Sequence, residues 1–184
     1  VQTPDAGSAE KVRMTFSAVS DAEPKLTLAD KTRILWEPGD GIYVNGDYFY
    51  STLEEPSSYS EFIGETVPAD EYFAVSSSFY PEWNGTGYKY DLQWYQEAVR
   101  NDLPYYLSAA KSDDSDLALH FRNLLGYIKF TIPEDGWIMK EVEVRAEGNE
   151  AVASGLAEID FSGDVPRLVF PDDGFFMDYM TLNS

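Results

Sequence analysis

Residues 11–16 alternate polar Lys11, Arg13 and Thr15 with apolar Val12, Met14 and Phe16, a period of two that predicts a half-buried β-strand. Residues 31–46 read Lys-Thr-Arg-Ile-Leu-Trp-Glu-Pro-Gly-Asp-Gly-Ile-Tyr-Val-Asn-Gly. Two short apolar runs flank a proline-glycine turn, and an Asn-Gly turn follows, so the segment predicts strand, turn, strand, turn. The same grammar returns at 117–132, where two alternating strands are joined through Asn123, Leu124, Leu125 and Gly126, with one helical turn closed by the glycine. Between the first two motifs, 17–30 reads as a loop carrying a short edge strand around Leu26 and Leu28.

Further strands are predicted at 48–53 and 59–64, forming a hairpin, and at 71–80. The last has a small, weakly apolar centre, which fits close approach of two sheets or an edge. Residues 103–110 return to strand pattern, 111–116 form an acidic turn, and 137–146, 151–161 and 167–170 complete the series. Residues 81–102 differ, because Trp83, Tyr88, Tyr90, Trp94 and Tyr95 crowd a stretch punctuated by Asn84, Gly85, Thr86 and Gly87; this reads as a long aromatic insertion. About 7–10 short strands with no helical period predict an all-β sandwich or barrel. No repeat or low-complexity block divides the chain, so 11–184 is expected to be one domain behind a flexible N-terminal tether, 1–10.

Composition agrees with strands. The 184 residues are 43% apolar and 15% aromatic, enough for a chain that buries about two-thirds of its unfolded surface without a covalent staple. Thirty-three acidic residues against 13 basic ones give a net charge of −20, a field that repels nucleic-acid backbones and anionic lipid. It reads as the solvated surface of an extracellular or periplasmic protein. The absence of cysteine excludes disulfides, thiolate catalysis and sulfur-bound metal. No apolar run approaches the ~18 residues of a membrane-spanning helix.

The chemistry in the sequence is sparse. His120, the one histidine, sits among apolar neighbours without the partners that a triad or a histidine metal site needs. Acidic residues are too many for any pair to be singled out as glycosidase carboxylates. Asp113, Asp114 and Asp116, and likewise Asp172, Asp173 and Asp178, are dense in oxygen but lack the Asp-x-Asp-x-Asp-Gly spacing of a calcium loop, and they read as solvated turns. The sequon at Asn84 and the Gly-x-Gly spacings at Gly39 and Gly85 open no predicted helix and carry no phosphate-gripping lysine. No catalytic residue, metal or cofactor is therefore expected. The aromatics Trp83, Tyr88, Tyr90, Trp94 and Tyr95 form the one candidate ligand platform, against the alternative that they seal a long loop onto the core.

The motifs at 31–44 and 117–132, with Lys140-Glu-Val-Glu-Val-Arg-Ala and Ala153-Ser-Gly-Leu-Ala near the end, together resemble the fimbrillin-like proteins of Bacteroidetes. The resemblance implies a transthyretin-like Greek-key β-sandwich, a lipoprotein route with a lipid anchor outside this chain, and a place at the cell surface and outer membrane. It implies a fimbrial subunit, anchor or accessory adhesin without enzyme activity, whose partners are other subunits or host and bacterial surface ligands. In polymerising members an N-terminal strand is removed after an arginine and a neighbour's strand fills the groove; Arg13 and Arg33 lie in the corresponding region. The alternatives are a carbohydrate-binding module built on the aromatic insertion and, least favoured, a carboxylate-pair hydrolase.

Overall fold

The computed structural model describes residues 9–20, 35–78, 80–92, 95–97, 106–125, 141–145, 154–170, 176–177 and 179–183. Every regular element among them is a strand: β1 (Val12–Ser20), β2 (Gly41–Val44), β3 (Asp47–Ser51), β4 (Tyr59–Thr66), β5 (Glu71–Ser77), β6 (Glu82–Trp83), β7 (Tyr88–Leu92), β8 (Tyr95–Glu97), β9 (Leu107–Asp113), β10 (Ala118–Asn123), β11 (Glu141–Arg145), β12 (Ser154–Asp160), β13 (Arg167–Val169), β14 (Phe176–Met177) and β15 (Tyr179–Asn183). Leu26, Leu28, Arg33, Trp94, Asp172, Asp173, Asp178 and the second predicted strand of 117–132 lie outside the described residues.

Local chemistry starts the main sheet. Glu37, Pro38, Gly39 and Asp40 make a turn in which the Asp40 amide donates to the Glu37 carbonyl at 3.1 Å and Gly39 takes a φ of 89°, the conformation that favours glycine after proline. Asn45 and Gly46 both have positive φ, 47° and 86°, as a tight two-residue hairpin demands. This turn joins β2 to β3, with Val44 opposite Asp47. The Asn45 side chain then reaches β5, accepting from the Phe73 amide at 2.8 Å and donating to the Glu71 carbonyl at 3.1 Å.

Seven strands close into a barrel in the order β1, β10, β9, β5, β2, β3, β4 and back to β1. β1 is the closing strand. It runs antiparallel to β4 from Val12 opposite Thr66 to Val19 opposite Tyr59, and parallel to β10 over Ser17–Ser20. That parallel contact explains a departure from the sequence reading, in which strand pattern ends at Phe16: residues 17–20 are strand because Ala18 fills the barrel interior while the backbone pairs with β10. Inside the barrel Phe16 meets Phe49 at 5.3 Å and Tyr72 at 5.0 Å, and Trp36 meets Phe62 at 5.0 Å and Phe121 at 5.2 Å, all edge to face, the arrangement aromatic quadrupoles prefer.

A second core lies outside the barrel wall. Val75, Leu107 and Ala109 of β5 and β9 are buried with Tyr88, Tyr90, Ala157 and Ile159, which belong to a sheet ordered β13, β12, β7, β6. β5 and β9 are thus covered on both faces. Their paired alanines, Ala74 and Ala110, fill the interior side, which accounts for the small centre of the 71–80 segment. A third sheet is ordered β11, β15, β8. The coarse expectation of an all-β chain holds, and the topology is a closed barrel with further sheets. Three finer readings are corrected. The described residues hold fifteen strands where about 7–10 are predicted, residues 81–97 contribute β6, β7 and β8 where a long insertion is predicted, and Lys111 is a strand residue of β9 where a turn is predicted; β14 and β15 fall where no element is predicted.

Candidate functional site

Residues of the predicted platform are split by the fold. Tyr88 and Tyr90 point inward from β7 and are 1% and 3% exposed, so neither offers a ring face to a ligand. Alternation along β7 buries Tyr88, Tyr90 and Leu92 together because that face packs against Val75, Leu107 and Ala109 of the barrel wall. The Tyr88 hydroxyl accepts from the Gly46 amide at 2.9 Å and donates to the Phe73 carbonyl at 3.3 Å, tying the second sheet to the β2–β3 turn. Burial pushes the Tyr88 phenol well above its ordinary range, against the lowering effect of the Gly46 hydrogen bond; burial does the same to Tyr90. Trp83 is half-buried, packed 4.8 Å from Tyr88 and 6.4 Å from Phe73. Trp94 is outside the described residues, and Tyr95 is on β8.

A cleft of about 590 Å³ opens beside Trp83's hairpin, between the β6–β7 turn, β12–β13 and the outer side of β5 and β9. Four of its charged side chains are engaged, Glu158 among them through Lys89 at 3.0 Å. Lys111 donates to the Phe161 carbonyl at 3.2 Å, and Arg167 pairs with Asp160 at 2.9 Å. Ser162 and Arg167 hold the Asp160 carboxyl down to about 2. The other displaced carboxyl among the described residues, Asp113, is also lowered, because Ser115 and the Asp116 amide donate to it. A general acid needs a shift in the opposite direction.

The remaining sequence candidates resolve into turns. The Asn84 Oδ1 accepts from the Thr86 amide at 2.9 Å, the Thr86 hydroxyl at 3.0 Å and the Gly87 amide at 2.9 Å, a side-chain-closed turn completed by Gly85 at a φ of 96°. Asp113 does the same for 113–116. His120 is exposed on β10. Among the described residues no three His, Asp or Glu side chains gather as a metal site.

Sequence reasoning overlooked a different aromatic group. On the outer face of the barrel, Tyr43 of β2 stands opposite Tyr48 of β3, with ring centroids 5.2 Å apart, and Tyr80 lies 5.3 Å from Tyr43 on another side. Burial, a hydrogen bond with Tyr80 and the neighbouring Tyr48 together push the Tyr43 phenol up to about 12. Tyr106 is raised by burial and then by the nearby Asp40. The signal was present in 48–50, where an alternating Tyr-Phe-Tyr must send Phe49 one way and both tyrosines the other. Comparison of the chain with protein-family models, with curated proteins and with solved structures returns no match.

Proposed function

We propose that this chain is a non-enzymatic cell-surface protein, a fimbrillin-like subunit, anchor or accessory adhesin that acts by pairing strands with partner subunits. One observation carries the reading: β1, close to the start of the chain, is the stave that closes the barrel, and only its Ser17–Ser20 end is paired with β10. Among the described residues the preceding half of β1 is bonded to β4 alone, and an edge of this kind accepts another strand. Loss of β1 would leave a slot between β4 and β10 lined by residues that now cover the buried Phe16 and Ala18. The acidic surface and the resemblance in the 31–44 and 117–132 motifs support the same reading.

In this reading the fold is a variant of the transthyretin-like Greek-key sandwich. The β5–β9 wall and the β13–β12–β7–β6 sheet are its facing layers. An anchoring lipid lies upstream of this chain, and the protein resides at the outer membrane. The test is mass spectrometry and negative-stain microscopy of protein purified from its native surface. Cleavage after Arg33, which would release β1 (Val12–Ser20), with association into fibres, is the expected result. Uncleaved monomer with no fimbrial association overturns the reading.

A further inference from the structure

We infer that Asn84 is a site of spontaneous covalent modification, where the folded chain converts asparagine to aspartate and isoaspartate through a succinimide, while the second Asn-Gly pair, Asn45-Gly46, is protected by the fold. The inference stands apart from strand pairing, because it concerns the β6–β7 turn and not the barrel edge.

Both pairs read Asn-Gly, and the missing side chain of glycine leaves its amide nitrogen open to attack the preceding carboxamide. Ring closure needs a carboxamide free to swing toward that amide and an amide free to give up its proton. Asn45 has neither freedom. Its carboxamide is held at both ends by β5, accepting from the Phe73 amide at 2.8 Å and donating to the Glu71 carbonyl at 3.1 Å. The Gly46 amide donates to the Tyr88 hydroxyl at 2.9 Å. These partners stand between 26 and 42 positions away in the sequence, so releasing Asn45 means parting the hairpin from β5 and β7.

Asn84 differs in each respect. Asn84, Gly85 and Thr86 are all exposed. The three bonds on its Oδ1 come from Thr86 and Gly87, two and three positions away, and a surface turn closed by such local bonds opens at far lower cost than the core. Its Nδ2, the leaving group, takes part in none of them. Among the described residues the Gly85 amide has no hydrogen-bond acceptor, and a Cβ at Gly85 would meet nothing within 4 Å, so solvent base reaches the amide.

Solvent alone balances the step. Hydroxide takes the Gly85 amide proton, the nitrogen electron pair bonds to Asn84 Cγ, and the Cγ–Nδ2 bond breaks, its electrons leaving on nitrogen that water protonates to ammonia. Water then opens the ring at Cγ, giving aspartate, or at the Asn84 backbone carbonyl, giving isoaspartate and routing the chain through one extra carbon. Either product adds a negative charge to the rim of the cleft that Asn84 shares with Glu71 and Glu158.

The intact folded chain, held in mildly alkaline buffer and sampled over days, should gain mass by replacement of an amide with an acid. Peptide mapping should place both products at position 84, formed at least tenfold faster than at position 45. In denaturing urea the two rates should converge, because the fold no longer separates them. Gly85→Ala, whose β-carbon crowds the attacking nitrogen, should slow conversion at 84 at least tenfold. An unmodified position 84 in the folded protein overturns the inference, as does equal conversion at 45, a ratio unchanged by urea, or a rate at 84 indifferent to Gly85→Ala.

Discussion

The Phe49 ring rests directly on the backbone of Gly64, its partner across β3 and β4, so that a Cβ at position 64 would lie 2.7 Å from the ring and 2.7 Å from the Tyr48 carbonyl oxygen. The ring can give; the carbonyl belongs to the β3 backbone and cannot. Phe49 is fully buried, and the missing side chain is what lets it fill the barrel beside Phe16.

Gly64→Ala should therefore cost about 1–3 kcal/mol, the range for overpacking a filled core. Gly163→Ala, where the nearest atom to a Cβ would be 3.8 Å away, should stay within about 0.5 kcal/mol. Urea unfolding of both variants checks the contrast, and equal stabilities would contradict the close approach.

Tyr88→Phe keeps the ring but removes the acceptor for the Gly46 amide, whose hydrogen bond to the phenol is 2.9 Å. The bond is only part-buried, so its loss should cost about 0.5–1.5 kcal/mol. The substitution should also speed hydrogen exchange at Gly46, observable by NMR, because the bond joins the second sheet to the β2–β3 turn. Unaltered exchange at Gly46 would show that the turn is held without it.

Alkali should unfold the protein through its inward-facing phenols. The folded pKa values of Tyr88 and Tyr90 are raised by burial from 10.0, so the native state retains protons that the unfolded chain loses. Their stabilising effect is complete below pH 10 and declines as pH rises from there toward the folded values. Circular dichroism and absorbance at 295 nm should change together above pH 10, and Tyr90→Phe should make the loss of stability in that window less steep.

Acid tests the opposite sign at Asp160. Its carboxyl is lowered from 3.8 to about 2, so its contribution is present above pH 3.8 and disappears as pH falls toward 2. Asp160→Asn should lower the melting temperature at pH 6, and the gap from the parent should narrow as the pH approaches 2. A gap independent of pH would mean that the Ser162 and Arg167 bonds do not depend on the charge.

Much of the local structure could be read before any coordinates. Asn45-Gly46 specifies its hairpin because few other pairs tolerate two positive φ values, and Pro38-Gly39 specifies its turn for a related reason. Alternation placed β1, β3 and β4 within a few residues. The aromatic stretch left two readings open, since rings at 88 and 90 have the same composition whether they serve as core or platform. Their direction is set by the β5–β9 wall, whose Val75, Leu107 and Ala109 pack against them from segments on either side in the sequence.

Period-two patterning and turn chemistry, both short-range, by themselves determined that this chain is built of many brief strands with specific reversals. Tertiary structure decided that β1 would close a barrel by pairing antiparallel on one side and parallel on the other, and which tyrosines would be sealed in or left facing water. Such choices depend on contacts between segments far apart in sequence, where burial of one face is settled only by the strand that arrives to cover it.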